Sequence, residues 1–536
     1  MFSSFIPFLI AFWLVRSVKQ VLFWIYLWQL KQYHRGRFLA HFKTENGKKL
    51  MLQPMQVLKT ALLVVFLASS IFYPFAYLVF LPLIVFLAYF LESMLYFKSI
   101  FSKRLKSPKL TKKTGFLLGA SFVAQVVFAI LIIGFIPDLS WIAFALLAFD
   151  VLLPVIISGV VILFQPLADR FRLNLQKRAK EKIESLNNKL TIIGITGSYA
   201  KTSTKEYLAT ILSEKFKVLT TKEHQNTEVG IPQAILDELG PEHDIFIAEM
   251  GAYDKGTIKR ISDFLKPEIG IVTGVNSQHL ALFGSMDNLL SAEGGRELLQ
   301  SLPTDGLLVV NGENDFCQDL YSKADVRKFS YKLDDKVIKN LDVKKNFASF
   351  SIDNTQFKVD VLGRHNVLNL LGAILVAREL GMSIGEIAKA SEKITAKNSS
   401  FKILRNNMGM NVIDSTYSAN PDGVIADLDY LKIYPGKKVI VMPSLIELGK
   451  TAKEVHYSIG AKIAQICQLA IITNSDHYED IKNGAIAKGM KEESILLIGD
   501  ANLIFGKVKT FCKEDDTILL EGRINESIIS RIKKGV

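Results

Sequence analysis

Four long apolar stretches, at residues 2–29, 57–97, 115–136 and 140–165, constrain this chain more than anything else in it. An apolar run of about 20 residues is long enough to cross a bilayer. Inside hydrocarbon every backbone polar group needs a partner within the segment, so such runs are expected to be helices. The first stretch is interrupted by Arg16 and Lys19 and carries Trp13, Trp24, Tyr26 and Trp28, which suit an interfacial belt. It has no basic region ahead of it and no clear cleavage site, which argues against a signal peptide. The second is too long for one span and has Pro74 near its middle, which predicts a helical hairpin; the last two form another, broken at Pro137-Asp138. Five spans result.

Orientation follows from the loops. Lys98 to Lys113 holds seven basic residues and no acid, and the segments Lys31 to Lys49 and Arg170 to Lys182 are also basic. Placing all three inside puts the N-terminus outside and everything after the last span in the cytoplasm of a cell with this inner, multi-pass membrane protein. The net charge of +13 is concentrated beside the apolar runs, so the expected partner is anionic membrane lipid, not nucleic acid. Asp150 lies inside the last span, where a charge is costly: it is either functional or neutralised by a neighbouring helix. The three cysteines show no CxxC spacing, which argues against a structural zinc site or a disulfide framework and suits a reducing cytosol.

Downstream the chemistry changes. Thr191-Ile-Ile-Gly-Ile-Thr-Gly-Ser-Tyr-Ala-Lys-Thr-Ser-Thr204 is an apolar strand turning through Gly197 into a helix start. Backbone N–H groups in such a turn cradle phosphate, a lysine neutralises it and a hydroxyl ligates Mg²⁺. The candidate nucleotide-binding set is Gly197, Ser198, Ala200, Lys201, Thr202 and Ser203. The general template asks for glycine where Ile195 and Ala200 stand, and Ala200 is compatible only if its backbone suits a residue with a Cβ. The alternative is a lysine-bearing turn after a buried strand. Strand-like runs at Asp244–Ala248, Ile269–Val275, Leu307–Asn311, Lys438–Met442 and Leu469–Thr473 alternate with helical patterns, predicting two α/β units with mainly parallel sheets.

A series of motifs then carries a resemblance. After the loop come Thr220-Thr-Lys-Glu-His-Gln-Asn-Thr-Glu-Val-Gly-Ile-Pro232, Glu249-Met-Gly-Ala252, Gly274-Val-Asn-Ser-Gln-His279 with Phe283-Gly-Ser285, Gly363-Arg-His-Asn-Val-Leu-Asn369, Asp414-Ser-Thr-Tyr-Ser-Ala-Asn-Pro421, and Ile446-Glu-Leu-Gly449 with His456. Over about residues 185–536 this order resembles the Mur ligase family, ATP-dependent amide-bond ligases of peptidoglycan assembly. The last three motifs most resemble the branch that joins D-alanyl-D-alanine to a UDP-muramoyl-tripeptide. The resemblance implies that ATP phosphorylates a carboxylate, an amine attacks the acyl phosphate, and ADP and phosphate leave. It implies catalytic roles for Lys201, Glu249 and His279, metal contacts from Thr202, Glu249, His279 and Glu293, adenine contact by Asn366 and nucleotide contact by Asp414. Tyr417, Asn420 and Pro421 are expected to shape their loop. Arg364 is either functional or an ion-pair partner, and His456 either functional or a surface histidine.

Two departures from the family pattern stand out. Many members carry a carbamylated lysine downstream of the histidine. Counting forward from His279 puts Glu293 there, and counting back from Pro303 puts Gly295 there; Glu297 is an equal candidate to compensate, and a single Mg²⁺ is the other solution. The family's soluble UDP-sugar domain is also replaced by the apolar region, which leaves a soluble or a lipid-linked muramoyl peptide open as acceptor. The expected organisation is a helical membrane domain (1–175), a central P-loop domain (176–397) and a C-terminal Rossmann-like α/β domain (398–536), with a hinge at Thr395 to Ser400. The rivals are another ligase of the family with a different acceptor, a transporter or sensor driven by a cytosolic ATPase, and a binding-only relative.

Overall fold

The computed structural model describes residues 5–42, 44–72, 74–102, 105–136, 138–186, 190–334, 336–395, 402–417 and 419–535. Pro137 and positions 396–400 of the expected hinge lie outside them. The chain divides into two compact units, Met1–Phe171 and Arg172–Val536.

The first unit is helical: α1 (Ile6–Leu30), α2 (Arg35–His41), α3 (Glu45–Met51), α4 (Pro54–Phe72), α5 (Pro74–Phe101), α6 (Lys112–Phe135), α7 (Leu139–Leu163) and the start of α8 (Gln165–Glu184). Local chemistry sets the boundaries. Pro74 opens α5, where its missing N–H costs nothing. Asp138 caps α7 by accepting from the N–H groups of Ser140 (2.8 Å) and Trp141 (3.2 Å). Among the described residues, four helical stretches are long and apolar enough to cross a membrane, Ile6–Leu30, Pro82–Phe101, Lys112–Phe135 and one beginning at Leu139; Pro54–Ala68 is a shorter apolar helix.

The unit inverts the usual soluble pattern. Val64, Phe80, Leu91, Val123, Ile130 and Val155 face outward, while Arg16, Lys59 and Asp150 are buried. Arg16 pairs with Asp150 and with Glu92 (2.7 Å), and Lys59 with Asp150 (2.7 Å) and Glu92 (2.5 Å). Two cations and two carboxylates from α1, α4, α5 and α7 thus neutralise one another, which answers how Asp150 is tolerated. The tryptophans correct the expectation of an interfacial belt. Trp13, Trp24 and Trp28 are all buried; Trp28 stacks on Phe38 at 3.9 Å and donates to Ser158 Oγ at 3.1 Å. Their indole area packs within the bundle because α1 is covered by α5, α6 and α7.

The second unit holds two six-stranded sheets. In the first, β1 (Thr191–Thr196), β2 (Val218–Thr220), β3 (Ile245–Glu249), β4 (Ile269–Val272), β5 (Leu307–Asn311) and β6 (Arg327–Tyr331) lie in the order β2-β3-β1-β4-β5-β6, all parallel. Runs such as Ile-Phe-Ile-Ala in β3 are apolar on both faces because helices cover both sides. A small antiparallel sheet follows, β7 (Lys339–Val343), β8 (Ala348–Ile352) and β9 (Thr355–Val359). The second large sheet has the order β10-β11-β15-β12-β13-β14, from β10 (Lys402–Arg405), β11 (Asn411–Ser415), β12 (Lys438–Met442), β13 (Leu469–Ile472), β14 (Ile495–Leu497) and β15 (Thr517–Glu521). It is parallel except for the β10–β11 edge. The strand expected over Ile269–Val275 stops at Val272, because Gly274 turns to a φ of 147°.

Candidate active site

The first sheet reverses its build direction at β1, and the loops after β1, β3 and β4 gather at its carboxyl edge, the usual ligand crevice of open α/β sheets. Gly197 leaves β1 with a φ of 141°, and a Cβ there would stand 2.3 Å from Thr273 Oγ1. Only glycine allows this approach of β1 to β4. Ser198 N–H then donates to Gly274 O at 2.7 Å. Ala200 adopts the left-handed conformation (φ 61°, ψ 0°) and caps α9 (Lys201–Leu212). The template's glycine therefore has a physical cause, and this chain meets the same backbone demand with a residue that strains to do so.

Two contact networks leave the loop. In the first, Thr202 Oγ1 donates to Glu249 Oε2 at 2.9 Å, and Asn226 Nδ2 donates to Glu249 Oε1 at 3.0 Å. Thr221 Oγ1 accepts from the Glu249 N–H at 3.0 Å. Lys205 is buried, donates to Thr221 O at 2.7 Å and holds Glu249 Oε2 at 3.5 Å. The Lys201 ammonium folds back onto Gly197 O.

In the second network, Ser198 Oγ donates to Glu293 Oε2 at 2.7 Å, and Glu293 Oε1 lies 2.8 Å from His279 Nδ1. Glu293 is 1 % exposed. Burial alone would raise its pKa, but the His279 charge and hydrogen bond, with Lys201 and Ser198, bring it below the usual carboxylate value. Glu297 is turned elsewhere: it accepts from the N–H groups of Gly256 (2.7 Å) and Lys259 (3.0 Å) at a helix start. Glu293 and Glu297, the two acids named to compensate for the family lysine, thus have different partners.

The C-terminal lobe of the same unit reaches this edge. Asn276 Nδ2 donates to Asp422 Oδ2 (2.7 Å) and Asn420 Oδ1 (3.1 Å), Gln278 Nε2 to Ala419 O (2.9 Å), and Ala281 N–H to Glu447 O (2.9 Å). Asn366 and Asp414 stand apart from these contacts. Asn366 Nδ2 donates to Leu362 O at 2.7 Å, and Asp414 pairs with Lys533 and accepts from Thr416 N–H at 3.0 Å. Ser203 sits in the first turn of α9. His456 is fully buried, which corrects the surface alternative: its Nε2 accepts from Leu445 N–H at 2.8 Å and its Nδ1 faces Ala452 O at 2.6 Å. Burial lowers its pKa to about 4.

Sequence reasoning gave no role to Lys205, nor to Asn226 and Glu447 within the motifs that contain them. Lys205 had a signal: four residues after Lys201, it shares that residue's helix face. The other two arrive through long-range packing.

Thr202 and Glu249 present two oxygens 2.9 Å apart beside a helix N-terminus, a donor set suited to a hard cation such as Mg²⁺. His279 Nδ1 lies 2.8 Å from Glu293 Oε1, and among the described residues no three His, Cys, Asp or Glu side chains are grouped to hold a metal.

A parallel sheet feeding a lysine–threonine helix start, with an acid from the next strand on that threonine, defines an α/β protein of the phosphate-binding-loop class. The Mur ligase middle domain matches residues 195–377 and the Mur ligase, glutamate ligase domain matches 401–524. Together these span more than half of the chain, and the chain belongs to the Mur ligase family. Among curated proteins, it is 29% identical over 338 residues to the UDP-N-acetylmuramoyl-tripeptide--D-alanyl-D-alanine ligase of Synechocystis, covering 62% of this chain and 71% of that one. It is 28% identical over 299 residues to the Bacillus subtilis ligase of that name, covering 54% of this chain and 63% of that one. Among solved structures, MurF from Acinetobacter baumannii superposes with a TM-score of 0.60 at 25% identity, covering 68% of this chain and 80% of that one. MurF from Thermotoga maritima in complex with ADP shares the fold, with a TM-score of 0.58 at 24% identity over 68% of this chain and 83% of that one.

Proposed function

We propose that this protein is a membrane-anchored, ATP-dependent carbon–nitrogen ligase that joins D-alanyl-D-alanine to a muramoyl-tripeptide precursor of peptidoglycan. The observation that carries the reading is the Thr202–Glu249 contact beside Lys201 at the carboxyl edge of a parallel sheet. The names of the relatives point to the same reaction.

A carboxylate is a poor acylating agent. Its oxygen takes the γ-phosphoryl group as ADP leaves; the amine nitrogen then attacks the acyl carbon, loses a proton, and phosphate departs. Charge neutralisation and positioning supply this catalysis. The N-terminal N–H groups of α9 and the Lys201 ammonium bind phosphate oxygens, the lysine exchanging its bond to Gly197 O for them. Asn226, Thr221 and Lys205 hold Glu249 toward Thr202. Thr202 and Glu249 would hold Mg²⁺, which when bound neutralises charge on the phosphates. Glu293 orients His279. Asn366 and Asp414 are assigned to the nucleotide, on family resemblance.

The reading assigns three regions: a helical domain (1–175), a central ATP-binding domain (176–397) and a Rossmann-like C-terminal domain (398–536). The helical domain is proposed to cross the cell membrane with the catalytic domains cytoplasmic. Its outward apolar side chains and inward charges are what lipid requires, and its basic loops suit anionic headgroups.

The test is phosphate release by full-length protein in detergent with ATP, Mg²⁺, UDP-muramoyl-tripeptide and D-alanyl-D-alanine, each alone and together. Release that needs both substrates and is abolished by Lys201→Ala supports the reading. Release with neither, or ATP binding without turnover on these substrates, counts against it and favours a transporter ATPase or a different acceptor.

A further inference from the structure

Glu447 has a φ of 69°. Side chains with a Cβ rarely take this left-handed conformation, and glycine or asparagine usually fills it. The loop has a glycine two residues on, also at positive φ, yet the strained position is held by glutamate. Strain of this kind persists where the surroundings over-determine it, and it concentrates at functional sites.

Those surroundings belong to the other lobe. The Glu447 carbonyl accepts from Ala281 N–H at 2.9 Å, and its carboxylate, 8 % exposed, lies 3.8 Å from His279 Nε2. Glu293 holds the opposite ring nitrogen at 2.8 Å. Tyr253 closes one side of the imidazole edge-on, with 5.9 Å between ring centroids. A Cβ at Gly449 would stand 3.3 Å from Ala281 N, so the segment runs tightly along the helix start that follows His279. From below, the loop is tied down by Leu445 N–H donating to His456. One imidazole is thus flanked by two carboxylates, one from each lobe.

We propose that Glu447 is a positioning residue that the C-terminal lobe delivers to the central-lobe site. It fixes the His279 ring from the side opposite Glu293, so that the ring is posed at both nitrogens only when the two lobes meet. The proposal rests on the ligase reading given above.

Full-length Glu447→Gly, Glu447→Gln and Glu447→Asp variants test it. Glycine relieves the backbone, so Glu447→Gly should melt no lower than wild type, yet its kcat should fall about tenfold to a hundredfold, the scale of a misplaced catalytic group. KM for ATP should stay within about twofold, because Lys201, Thr202 and Glu249 are untouched. Glu447→Asp should recover part of the loss and Glu447→Gln should not. A second readout is independent of turnover: diethyl pyrocarbonate labelling of the His279 peptide, followed by mass spectrometry, should be several-fold faster in Glu447→Gly. Unchanged kcat or unchanged labelling in that variant overturns the proposal. Wild-type protein that releases no phosphate with both substrates overturns the ligase reading instead, while the labelling result still decides whether Glu447 poses His279.

Discussion

Acidification should loosen the loop that carries Glu447, through His456. The neutral ring accepts from Leu445 N–H and faces Ala452 O, so a proton on Nε2 removes the acceptor and leaves a buried N–H unpaired. The nearby groups are His477, stacked at 4.4 Å, and Asp480, 2.9 Å from His477 Nδ1. Burial is the main cause of the low pKa, and the His477 charge adds to it. The folded pKa of about 4 lies below the ordinary 6.5, so the folded state binds fewer protons between those values. Stability from this residue is therefore fully present above pH 6.5 and is lost as pH falls toward 4. Two and a half units correspond to about 3 kcal/mol in the limit, of which about 2 kcal/mol is lost by pH 5. For a unit of this size that is a fall in Tm of about 3 °C. The assay is thermal melting from pH 7.5 to 5 of wild type beside His456→Gln, which does not titrate. The gap between the two should narrow as pH falls. Parallel curves over that range would refute the assignment of His456 as a buried neutral acceptor.

Further outcomes follow from the same geometry. Ala200→Gly should raise Tm by about 1 °C, since glycine relieves a left-handed position at about 1 kcal/mol, with phosphate release retained. Asp150→Asn should destabilise the helical unit by about 3–5 kcal/mol because Arg16 and Lys59 lose a buried partner; a lower aggregation temperature in detergent is the readout. Glu293→Gln should cut kcat about tenfold to a hundredfold by releasing His279, measured with both substrates saturating. Its lowered pKa means that the stability Glu293 contributes is present above its unfolded pKa and is lost as pH falls through the folded one.

What could be read in advance depended on how local the cause was. The strands Leu307–Asn311 and Lys438–Met442 were legible to the residue, because a buried parallel strand is an unbroken apolar run. The strain at Ala200 was legible as a question, since the template names the position where glycine belongs. Glu293 was legible only as one of several candidates; that its carboxylate meets His279 while Glu297 caps a helix is a matter of long-range packing. The partners of Asp150 come from α1 and α4, far away in sequence, and no local pattern says which helices touch. The tryptophans of α1 misled for a related reason: an indole suits both a membrane interface and a bundle interior, and packing by three neighbouring helices decided it. Glu447 was visible in its motif, but its contact with His279 was not, because backbone strain is not written in composition.

The central claim is that a substrate carboxylate is activated by phosphoryl transfer. The most direct measurement uses UDP-muramoyl-tripeptide carrying oxygen-18 in its terminal carboxylate, with ATP, Mg²⁺ and D-alanyl-D-alanine, and mass analysis of the phosphate released. The account predicts one labelled oxygen in each phosphate, dependent on Lys201. Phosphate released without label would contradict it, because its oxygen would then have come from water.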